Sequence, residues 1–353
     1  MILEEGLSKI NIPDDSTLRG PGTKRAGFYN QDQVLNRDIT IALLSVLKPK
    51  SYLDGFGGTG IRGIRVTRET GIHSAVSEIN RRSVEIIKEN QRLNEVELEV
   101  YNEPFESVVS RHLFDFVDVD PYGSIVPYLD LAISHVKNGG YLGLTATDLS
   151  ALTGSVAQKT RRRYGATISN DRLKHESGIR LLLAYTALRA AALDREIIPQ
   201  VAFWRSHYYR LVVKVKHGAG AADRNLQNIR NVNKSRELST LYPDKEEGPI
   251  WTGKLCNDEN IEGAVSRPLN SISMDSYSFL SALPHEDRRL YFFELSDFAS
   301  HLKRSLPSLA SMSEYIEEET GKRAFRTHFS PTGIKAQIDG DQFLDLFGKK
   351  SVT

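Results

Sequence analysis

Five short apolar runs alternate with amphipathic stretches between residues 51 and 145, and this alternation limits the possible folds more than any other feature. The runs cover residues 51–53, 74–76, 98–101, 114–117 and 141–145. Helices are expected over 31–47, from residue 61, over 80–93 and over 125–137, where apolar residues recur close to the helical period. Strands and helices in this order predict a doubly wound parallel sheet of the α/β class. Strands over 197–205 and 208–216 are expected to close it as an antiparallel hairpin. Residues 1–30, which are rich in glycine and proline, are expected to be irregular, and Gly139 and Gly140 are expected to form a turn before the fifth strand.

Composition limits the number of domains and excludes several classes of protein. A chain of 353 residues is too long for one core of usual size, so two domains are expected, with a boundary near the glycine-rich segment that follows His217. The single cysteine, Cys256, excludes an internal disulfide, and nine histidines show no ligand spacing, so no metal site is expected. Neither a signal-like N-terminus nor a membrane-spanning run is present. The sequence therefore predicts a soluble cytoplasmic protein without a membrane partner.

The segment 118–124, DVDPYGS, follows the fourth apolar run and therefore stands at the carboxyl end of a buried strand. Open α/β sheets bind ligands beyond these strand ends. There Asp120 can accept hydrogen bonds from an exocyclic amine, and Tyr122 can lie flat against a purine. Asp, Pro and Gly are also ordinary turn residues, so a turn without a ligand is the alternative.

The segment 54–60, DGFGGTG, joins the first strand to a helix, and its glycines allow a ligand close to the backbone. The spacing does not match a phosphate-binding P-loop, and the dinucleotide pattern is met only by choosing Gly55, Gly57 and Gly60. Asp54, just before these glycines, favours a ligand with a cationic amine. Glu78 follows about 24 residues later, near the spacing at which an acid binds ribose hydroxyls. Its alternative role is an acid at the start of the next helix.

Several motifs together resemble a known family. The acidic glycine loop, the acid after strand two and the Asp-Pro-aromatic motif after strand four resemble class I S-adenosylmethionine-dependent methyltransferases. More closely, the chain is similar to the tRNA (guanine-N2)-dimethyltransferases that modify position 26. The stretches that carry this likeness are FYN (28–30), NRD (36–38), TGIRGIR (59–65), DVDPYGS (118–124), LTATD (144–148), RYG (163–165) and HFSP (328–331).

The resemblance implies a fold, a reaction and a set of site residues. It implies a Rossmann-like class I methyltransferase domain over 1–217, with an N-terminal lid, and a smaller α+β tRNA-binding domain over 218–353. Asp120 would act on the N2 amine of guanine, and Tyr122 and Phe28 would stack on the extruded base or lie near the sulfonium. S-adenosylmethionine would be bound by Arg37, Asp54, Gly55, Gly57, Gly60, Arg62, Glu78, Glu103, Pro104 and Asp120. For Arg37 and Arg62, pairing with local acids is the alternative to binding the cofactor carboxylate. The methyl donor is already activated, so no metal is needed.

A basic region after the fifth strand predicts contact with RNA. Residues 151–220 hold 13 Lys or Arg against 4 Asp or Glu, although the whole chain has a net charge of only +1. Residues expected to meet tRNA phosphates are Lys159, Arg161, Arg162, Arg163, Arg172 and Lys174. We expect a monomer that methylates tRNA. The alternatives are an amino-group methyltransferase acting on DNA or another RNA, and a non-catalytic RNA-binding protein with a methyltransferase fold.

Overall fold

The structure, a computed structural model, describes residues 1–13, 25–286 and 289–350. Within these ranges the strands are, in chain order, β1 (Ile2–Glu5), β2 (Ser8–Asn11), β3 (Ser51–Asp54), β4 (His73–Ser77), β5 (Glu99–Tyr101), β6 (Phe114–Val119), β7 (Val136–Ala146), β8 (Arg195–Arg205), β9 (Tyr208–His217), β10 (Ile229–Asn233), β11 (Glu246–Trp251), β12 (Phe293–Glu294), β13 (Ala324–Arg326) and β14 (Gly333–Ala336). The helices are α1 (Val34–Leu47), α2 (Ile61–Thr70), α3 (Arg81–Leu93), α4 (Phe105–Arg111), α5 (Leu129–His135), α6 (Leu149–Leu152), α7 (Ala157–Tyr164), α8 (Lys174–Ala191), α9 (Ala219–Leu226), α10 (Lys234–Glu237), α11 (Asp258–Ser266), α12 (Met274–Glu286), α13 (Leu295–Leu302), α14 (Leu309–Thr320) and α15 (Gly340–Lys349).

Seven strands form the main sheet in the order β5-β4-β3-β6-β7-β9-β8. The pairs among the first five are parallel, and β9 runs antiparallel to both β7 and β8. The chain steps outward from β3 in both directions, so the carboxyl ends of β3, β4 and β6 meet at the switch in strand order, where such sheets bind ligands. The predicted doubly wound sheet with a closing hairpin is confirmed.

The central strands are apolar because both faces of the sheet are covered: successive side chains of one strand point to opposite faces, and both are buried. Phe116 and Val117 of β6 are fully buried, as expected for a parallel strand between two helical layers. Ile64 of α2 and Ile87 of α3 pack with Val76 of β4 in one apolar cluster. This packing holds α2, which follows the glycine loop, and α3, which follows β4 and Glu78, against the sheet.

The N-terminal lead-in differs from the irregular segment expected over residues 1–30. β1 and β2 form an antiparallel hairpin. Ile10 and Ile12 are buried and pack with Tyr29, and Asn11 between them is exposed, which is the alternation of a half-buried strand. Residues 14–24 of the expected lid lie outside the described residues.

The fifth parallel strand also begins earlier than expected. The helix predicted over 125–137 is shorter, and β7 starts at Val136 and continues through Gly139 and Gly140. The ladder with β6 shifts its register in this region. The glycine pair therefore lies in an irregular strand start rather than in a turn, a common place for glycine within a strand.

The chain forms two compact units, and each is discontinuous in sequence. The first comprises Met1–Asp148, Thr186–Leu226 and Cys256–Ser281, and the second comprises Leu149–Tyr185, Gln227–Leu255 and Ala282–Thr353. The second unit contains two antiparallel sheets, β10-β11 and β12-β14-β13. The division into functional domains at residue 217 stays a prediction, because compactness does not assign a function. None of the helices in the described ranges is both long and apolar enough to cross a membrane.

Candidate active site

The segment after β6 is a tight turn that holds Asp120 and Tyr122 at the carboxyl edge of the sheet. Gly123 has φ +90°, which glycine adopts readily. Its N–H donates to Thr147 Oγ1 at 2.8 Å, and its carbonyl accepts from the Thr147 N–H at 2.9 Å. The turn is thereby fixed to the residues that follow β7, and 43 % of Tyr122 stays exposed.

The aromatic residue of the N-terminal segment lies against this turn. The rings of Phe28 and Tyr122 meet edge to face, with centroids 5.0 Å apart. The Phe28 carbonyl accepts a hydrogen bond from the Thr59 N–H at 3.2 Å, which anchors the segment on the glycine loop. Burial, followed by the charges of Glu78 and Asp120, raises the pKa of Tyr122 above its ordinary value. Its hydroxyl therefore stays protonated at neutral pH.

Asp120 forms an ion pair with Arg62. Arg62 Nη2 lies 2.5 Å from Asp120 Oδ2, and only 6 % of the Arg62 side chain is exposed. Arg62 Nη1 lies 3.5 Å from Asp118 Oδ2 and 3.4 Å from Asn36 Oδ1. Of the two roles considered for Arg62, the structure therefore shows contacts with local acids.

Asp118 is held by the core rather than facing a ligand. Both of its oxygens accept from Arg210, at 2.8 and 2.7 Å, and Oδ2 also accepts from the Tyr52 hydroxyl at 2.8 Å. Burial alone raises the pKa of Asp118, but the charges of Arg210 and Arg62 outweigh it and hold that pKa below its usual range. Asp118 is therefore a fixed anion beneath Asp120.

The glycine loop packs too closely for side chains. A Cβ on Gly57 would lie 2.5 Å from Val76 Cγ1, and one on Gly58 would lie 2.6 Å from the Phe28 carbonyl oxygen. The Gly55 N–H donates to the Asp118 carbonyl at 3.0 Å, and Gly60 adopts φ +79° just before α2 begins. The loop is thus a rigid backbone surface between β3 and α2, as a ligand cradle requires.

Asp54, at the end of β3, is buried beside this loop. Its Oδ1 accepts from the Phe56 N–H at 3.3 Å. Burial raises the pKa of Asp54 to about 7, with Arg62 opposing this shift and Asp118 adding to it. An acid in this state gains a favourable partner when a cationic amine binds next to it.

Glu78 follows β4, and both of its oxygens are engaged by backbone. Oε2 accepts from the Gly58 N–H at 2.9 Å, and Oε1 accepts from the Asn80 N–H at 2.8 Å. Asn102 donates to the Glu78 carbonyl at 3.0 Å. The next residue, Ile79, is 72 % exposed. A carboxylate beside an exposed apolar side chain and a glycine backbone suits the ribose and flat base of an adenosine.

Three other expected cofactor residues have local roles in the structure. Arg37 donates to both oxygens of Glu5 at 2.6 Å, so it too contacts a local acid. Glu103 forms an ion pair with Arg111. Pro104 precedes the first residue of α4. Contact of these residues with a cofactor stays a prediction.

The expected tRNA-binding residues lie in the second unit. Arg161 and Arg162 on α7 are exposed, whereas Arg163 and Lys159 are half-buried. Arg172 is exposed and forms an ion pair with half-buried Asp297 at 2.9 Å, and half-buried Lys174 begins α8. Successive residues on a helix point about 100° apart, so the three arginines of α7 face different directions.

Sequence reasoning missed Arg210 and Ile79. Arg210 lies in the apolar strand β9 and is fully buried; a charged residue in such a strand is a signal for a buried partner. For Ile79 the sequence offers a weaker signal, an isoleucine directly after an acid at the end of a strand.

Within residues 1–13, 25–286 and 289–350, no group of three or more His, Cys, Asp or Glu is placed to hold a metal ion.

Comparisons with known proteins agree over nearly the whole chain. The family model described as N2,N2-dimethylguanosine tRNA methyltransferase matches residues 6–347. The tRNA (guanine(26)-N(2))-dimethyltransferases of Thermoplasma volcanium and Thermoplasma acidophilum are 47% and 45% identical, covering 95% and 97% of this chain and 95% of each relative. The solved structure of Trm1 from Pyrococcus horikoshii with S-adenosyl-L-methionine is 28% identical, with a TM-score of 0.87, and the match covers 98% of this chain and 99% of that one.

Proposed function

Because the chain belongs to the N2,N2-dimethylguanosine tRNA methyltransferase family, we infer that it transfers one or two methyl groups from S-adenosylmethionine to the N2 amine of guanine 26 in tRNA. The family, the enzyme class and the methyl donor expected from the motifs are thereby confirmed. The observation that supports the assignment of the reaction centre is the position of Asp120 beside the Phe28–Tyr122 pair, at the sheet edge next to the glycine loop.

We propose that Asp120 accepts a hydrogen bond from the guanine amine. The N2 lone pair is delocalised into the base, so it must be localised on nitrogen before it attacks. When bound, S-adenosylmethionine supplies an electrophilic methyl group on its sulfonium. An anionic acceptor on the N–H favours the pyramidal nitrogen and stabilises its developing positive charge. Arg62 occupies Oδ2, so Oδ1 of Asp120 is the proposed acceptor, both for this hydrogen bond and for the proton that the amine loses.

Tyr122 is the proposed platform for the base. Enzymes that modify a base take it out of the stack and hold it against aromatic or apolar side chains. Phe28 and Tyr122 are in contact, so a base cannot lie between them as they stand. We therefore assign stacking to the exposed part of Tyr122 and a supporting role to Phe28.

The cofactor assignments rest on the same strand edge. Glu78 is proposed to bind the ribose hydroxyls, and Asp54 the cofactor amine, with the backbone of Gly55, Gly57 and Gly60 lining the site. The support for Glu78 is its position beside the glycine backbone and exposed Ile79. Glu103 and Pro104 are proposed near the adenine.

The proposal for tRNA combines the basic residues of α7 with the C-terminal part of the chain. Lys159, Arg161, Arg162 and Arg163 would contact phosphates together with Arg172 and Lys174, and residues 218–353 would form the tRNA-binding domain. The support is the exposure of Arg161, Arg162 and Arg172.

We propose that the enzyme works as a monomer in the cytoplasm, where its tRNA substrate is. Sedimentation of the free protein tests whether it is a monomer.

The test is transfer of labelled methyl groups from S-adenosylmethionine to a tRNA transcript, followed by mass spectrometry of its nucleosides. We expect N2-methylated guanosine at position 26, and none in a matched transcript with adenine there.

Asp120→Asn should lower the single-turnover rate by about 10²–10³, as for loss of one preorganised electrostatic contact, while the affinities for S-adenosylmethionine and for tRNA stay unchanged. Label in DNA or another RNA would support the alternative methyltransferase. Binding without transfer would support a non-catalytic protein. A normal rate in Asp120→Asn would redirect the search to Asp118 or Asp148.

A further inference from the structure

The carboxylate of Glu5, at the end of β1, is buried and hydrogen bonded through both of its oxygens. Oε1 accepts from Arg37 Nε at 2.6 Å and from Arg65 Nη1 at 2.7 Å, and Oε2 accepts from Arg37 Nη2 at 2.6 Å and from the Tyr29 hydroxyl at 2.8 Å. Only 3 % of the Glu5 side chain is exposed. Burial alone raises the pKa of Glu5, but the charges of Arg37 and Arg65 outweigh it and lower that pKa to about 2, so the carboxylate is ionised at neutral pH.

The β1–β2 hairpin is held in place by two asparagines of α3. Asn90 Oδ1 accepts from the Asn11 N–H at 2.6 Å, and Asn90 Nδ2 donates to the Asn11 carbonyl at 3.1 Å and to the Thr59 carbonyl of the glycine loop at 2.9 Å. One helical turn later, Asn94 exchanges the same pair of bonds with Lys9, at 2.8 and 2.5 Å. The two amides thus bond to β2 as a neighbouring strand does. The hairpin is thereby joined to the glycine loop and presents its buried acid at a fixed position.

Arg37 on α1 is oriented through one edge of its guanidinium. Nε donates to Glu5, and Nη2 donates to Glu5 and to the Asn30 carbonyl at 3.0 Å. The guanidinium carbon also lies 5.1 Å from the centroid of the Tyr29 ring. A guanidinium has five N–H donors, and these bonds use the three on Nε and Nη2. Within residues 1–13, 25–286 and 289–350, the two donors on Nη1 make no hydrogen bond, so they are the ones left for a ligand.

Arg37 lies beside the site that contains Asp120. Its partner Asn30 is two residues after Phe28 of the aromatic pair. Burial raises the pKa of Tyr208, and the charges of Arg37 and Asp120 both act on that hydroxyl. The Nη1 end of Arg37 is therefore a cationic donor close to the proposed reaction centre, and a carboxylate is the ligand group that such a donor binds best.

We propose that Glu5 is a positioning residue for cofactor binding, which holds Arg37 so that its Nη1 meets the carboxylate of S-adenosylmethionine. The inference rests on the cofactor assignment of the proposed function, because it takes Arg37 as a ligand of that carboxylate. Pairing with a local acid and binding the cofactor are then not alternatives for Arg37, since they use different edges of one guanidinium. A planar fork held at one edge presents the other in a fixed direction, so less rotamer entropy is lost when the cofactor binds.

The two arginines that share Glu5 depend on it differently. Arg65 also pairs with Asp38 at 2.8 Å and with Glu69 at 2.8 Å. In the part of the chain that the structure describes, Arg37 pairs with no acid other than Glu5. Loss of the Glu5 charge should therefore leave Arg65 held by its other partners and release Arg37.

A comparison of two ligands tests the proposal. S-adenosylmethionine and its decarboxylated form differ in the carboxylate alone, and calorimetry measures the affinity of the protein for each. Glu5→Gln should weaken binding of S-adenosylmethionine by about 10-fold, as for weakening one charge-assisted hydrogen bond. Its affinity for the decarboxylated form should stay within about twofold of normal. In an Arg37→Gln background, Glu5→Gln should change neither affinity by more than about twofold, because a residue that acts through Arg37 has nothing left to position.

Two other variants of β1 make the comparison specific. Glu4→Gln is the matched control, because Glu4 directly precedes Glu5 and keeps 72 % of its side chain exposed; both ligands should bind to it normally. Glu5→Asp keeps the charge on a shorter side chain and should show a smaller loss that is again confined to S-adenosylmethionine. Glu5→Asp also carries the test if Glu5→Gln does not fold.

Three results would overturn the proposal. Equal losses for the two ligands in Glu5→Gln would make Glu5 a purely structural residue. A selective loss that persists in the Arg37→Gln background would mean that Glu5 acts through another group. Normal binding of S-adenosylmethionine by Arg37→Gln would remove the ligand that Glu5 is proposed to position. These affinities are measured without RNA, so a failure to methylate guanine 26 would contradict the proposed reaction separately from the role of Glu5.

Discussion

Arg210 and Asp118 form a two-bond ion pair at 2.8 and 2.7 Å in the core of the sheet, although 92 residues separate them in sequence. The pair reaches across β7, where Gly143 lies opposite Asp118. A Cβ on Gly143 would lie 2.6 Å from Arg210 Nη2 and 2.8 Å from Asp118 Oδ2. Gly143, in the strand between them, has no side chain and therefore leaves room for Asp118 of β6 and Arg210 of β9 to form their ion pair.

Arg210→Leu should destabilise the protein strongly. Removing one partner of a buried pair leaves an uncompensated charge, which costs about 3–5 kcal/mol. The measurement is the free energy of unfolding from a denaturant titration. Lys216→Leu on the same strand is the control, because Lys216 is exposed and surface changes usually stay within about 0.5 kcal/mol. Equal stability of Arg210→Leu and the native protein would contradict the central role of this pair.

The same pair shows what sequence reasoning reached and what it did not. Apolar runs revealed the five parallel strands, and the acids after them indicated the edge of the sheet where the site is proposed, because both signals are local. The pairing of Arg210 with Asp118 depends on strand order and register across three strands, which no local pattern contains. Arg62 was ambiguous for the same reason: a helix position does not reveal which acid its guanidinium meets.

The N-terminal hairpin was missed for a different reason. Its strands are four residues each, too short for a periodic signal, and Glu5 is buried by Arg37 and Arg65 at 2.6 and 2.7 Å rather than by apolar contacts. The burial of that acid follows from tertiary pairing. Glycine-rich composition around it suggested an irregular chain.

Glu78→Ala should weaken binding of S-adenosylmethionine. The carboxylate is proposed to hold the ribose hydroxyls and also fixes the glycine loop through the Gly58 N–H, so its loss should cost about 1–3 kcal/mol of binding free energy. Isothermal calorimetry measures this. Glu85→Gln, on exposed α3 surface with 64 % of its side chain accessible, should bind normally. Unchanged affinity in Glu78→Ala would remove Glu78 from the site.

Replacing Arg161, Arg162 and Arg163 together with alanine should weaken tRNA binding and flatten its dependence on salt. Each phosphate contact that is lost lowers the slope by about 0.9 or less. Because the three side chains point in different directions along α7, we expect the slope to fall by fewer than three contacts. Arg92→Ala, at an exposed arginine on α3 in the first unit, is the control and should leave the slope unchanged. An unchanged slope would place the tRNA elsewhere, and a parallel loss of cofactor affinity would indicate misfolding.

The two aromatic residues of the site should differ in how much they matter. Tyr122→Ala should slow methyl transfer by removing the stacking surface, which contributes about 1–3 kcal/mol per base in nucleic-acid complexes. Tyr122→Phe keeps the ring and should stay active. Phe28→Ala removes only the edge contact at 5.0 Å, so its loss of rate should be smaller than that of Tyr122→Ala. Single-turnover kinetics distinguish these, and a larger loss from Phe28→Ala would assign the base to Phe28 instead.

Asp54 should make cofactor binding and stability depend on pH in opposite directions. Burial raises the pKa of Asp54 from 3.8 to about 7 in the folded protein, so folding favours its protonated form. Its contribution to stability is therefore greatest below about pH 4 and falls as the pH rises to about 7. A cationic amine prefers the ionised carboxylate, so the affinity for S-adenosylmethionine should increase as the pH rises toward about 7. Binding below that pH should release a proton from Asp54. Calorimetry in buffers of different ionisation enthalpy detects this release. Asp54→Asn should remove this proton release, weaken cofactor binding above about pH 7 and raise the melting temperature there relative to the native protein. If native and Asp54→Asn proteins show the same pH dependence in both measurements, Asp54 does not titrate in this range and does not meet the amine.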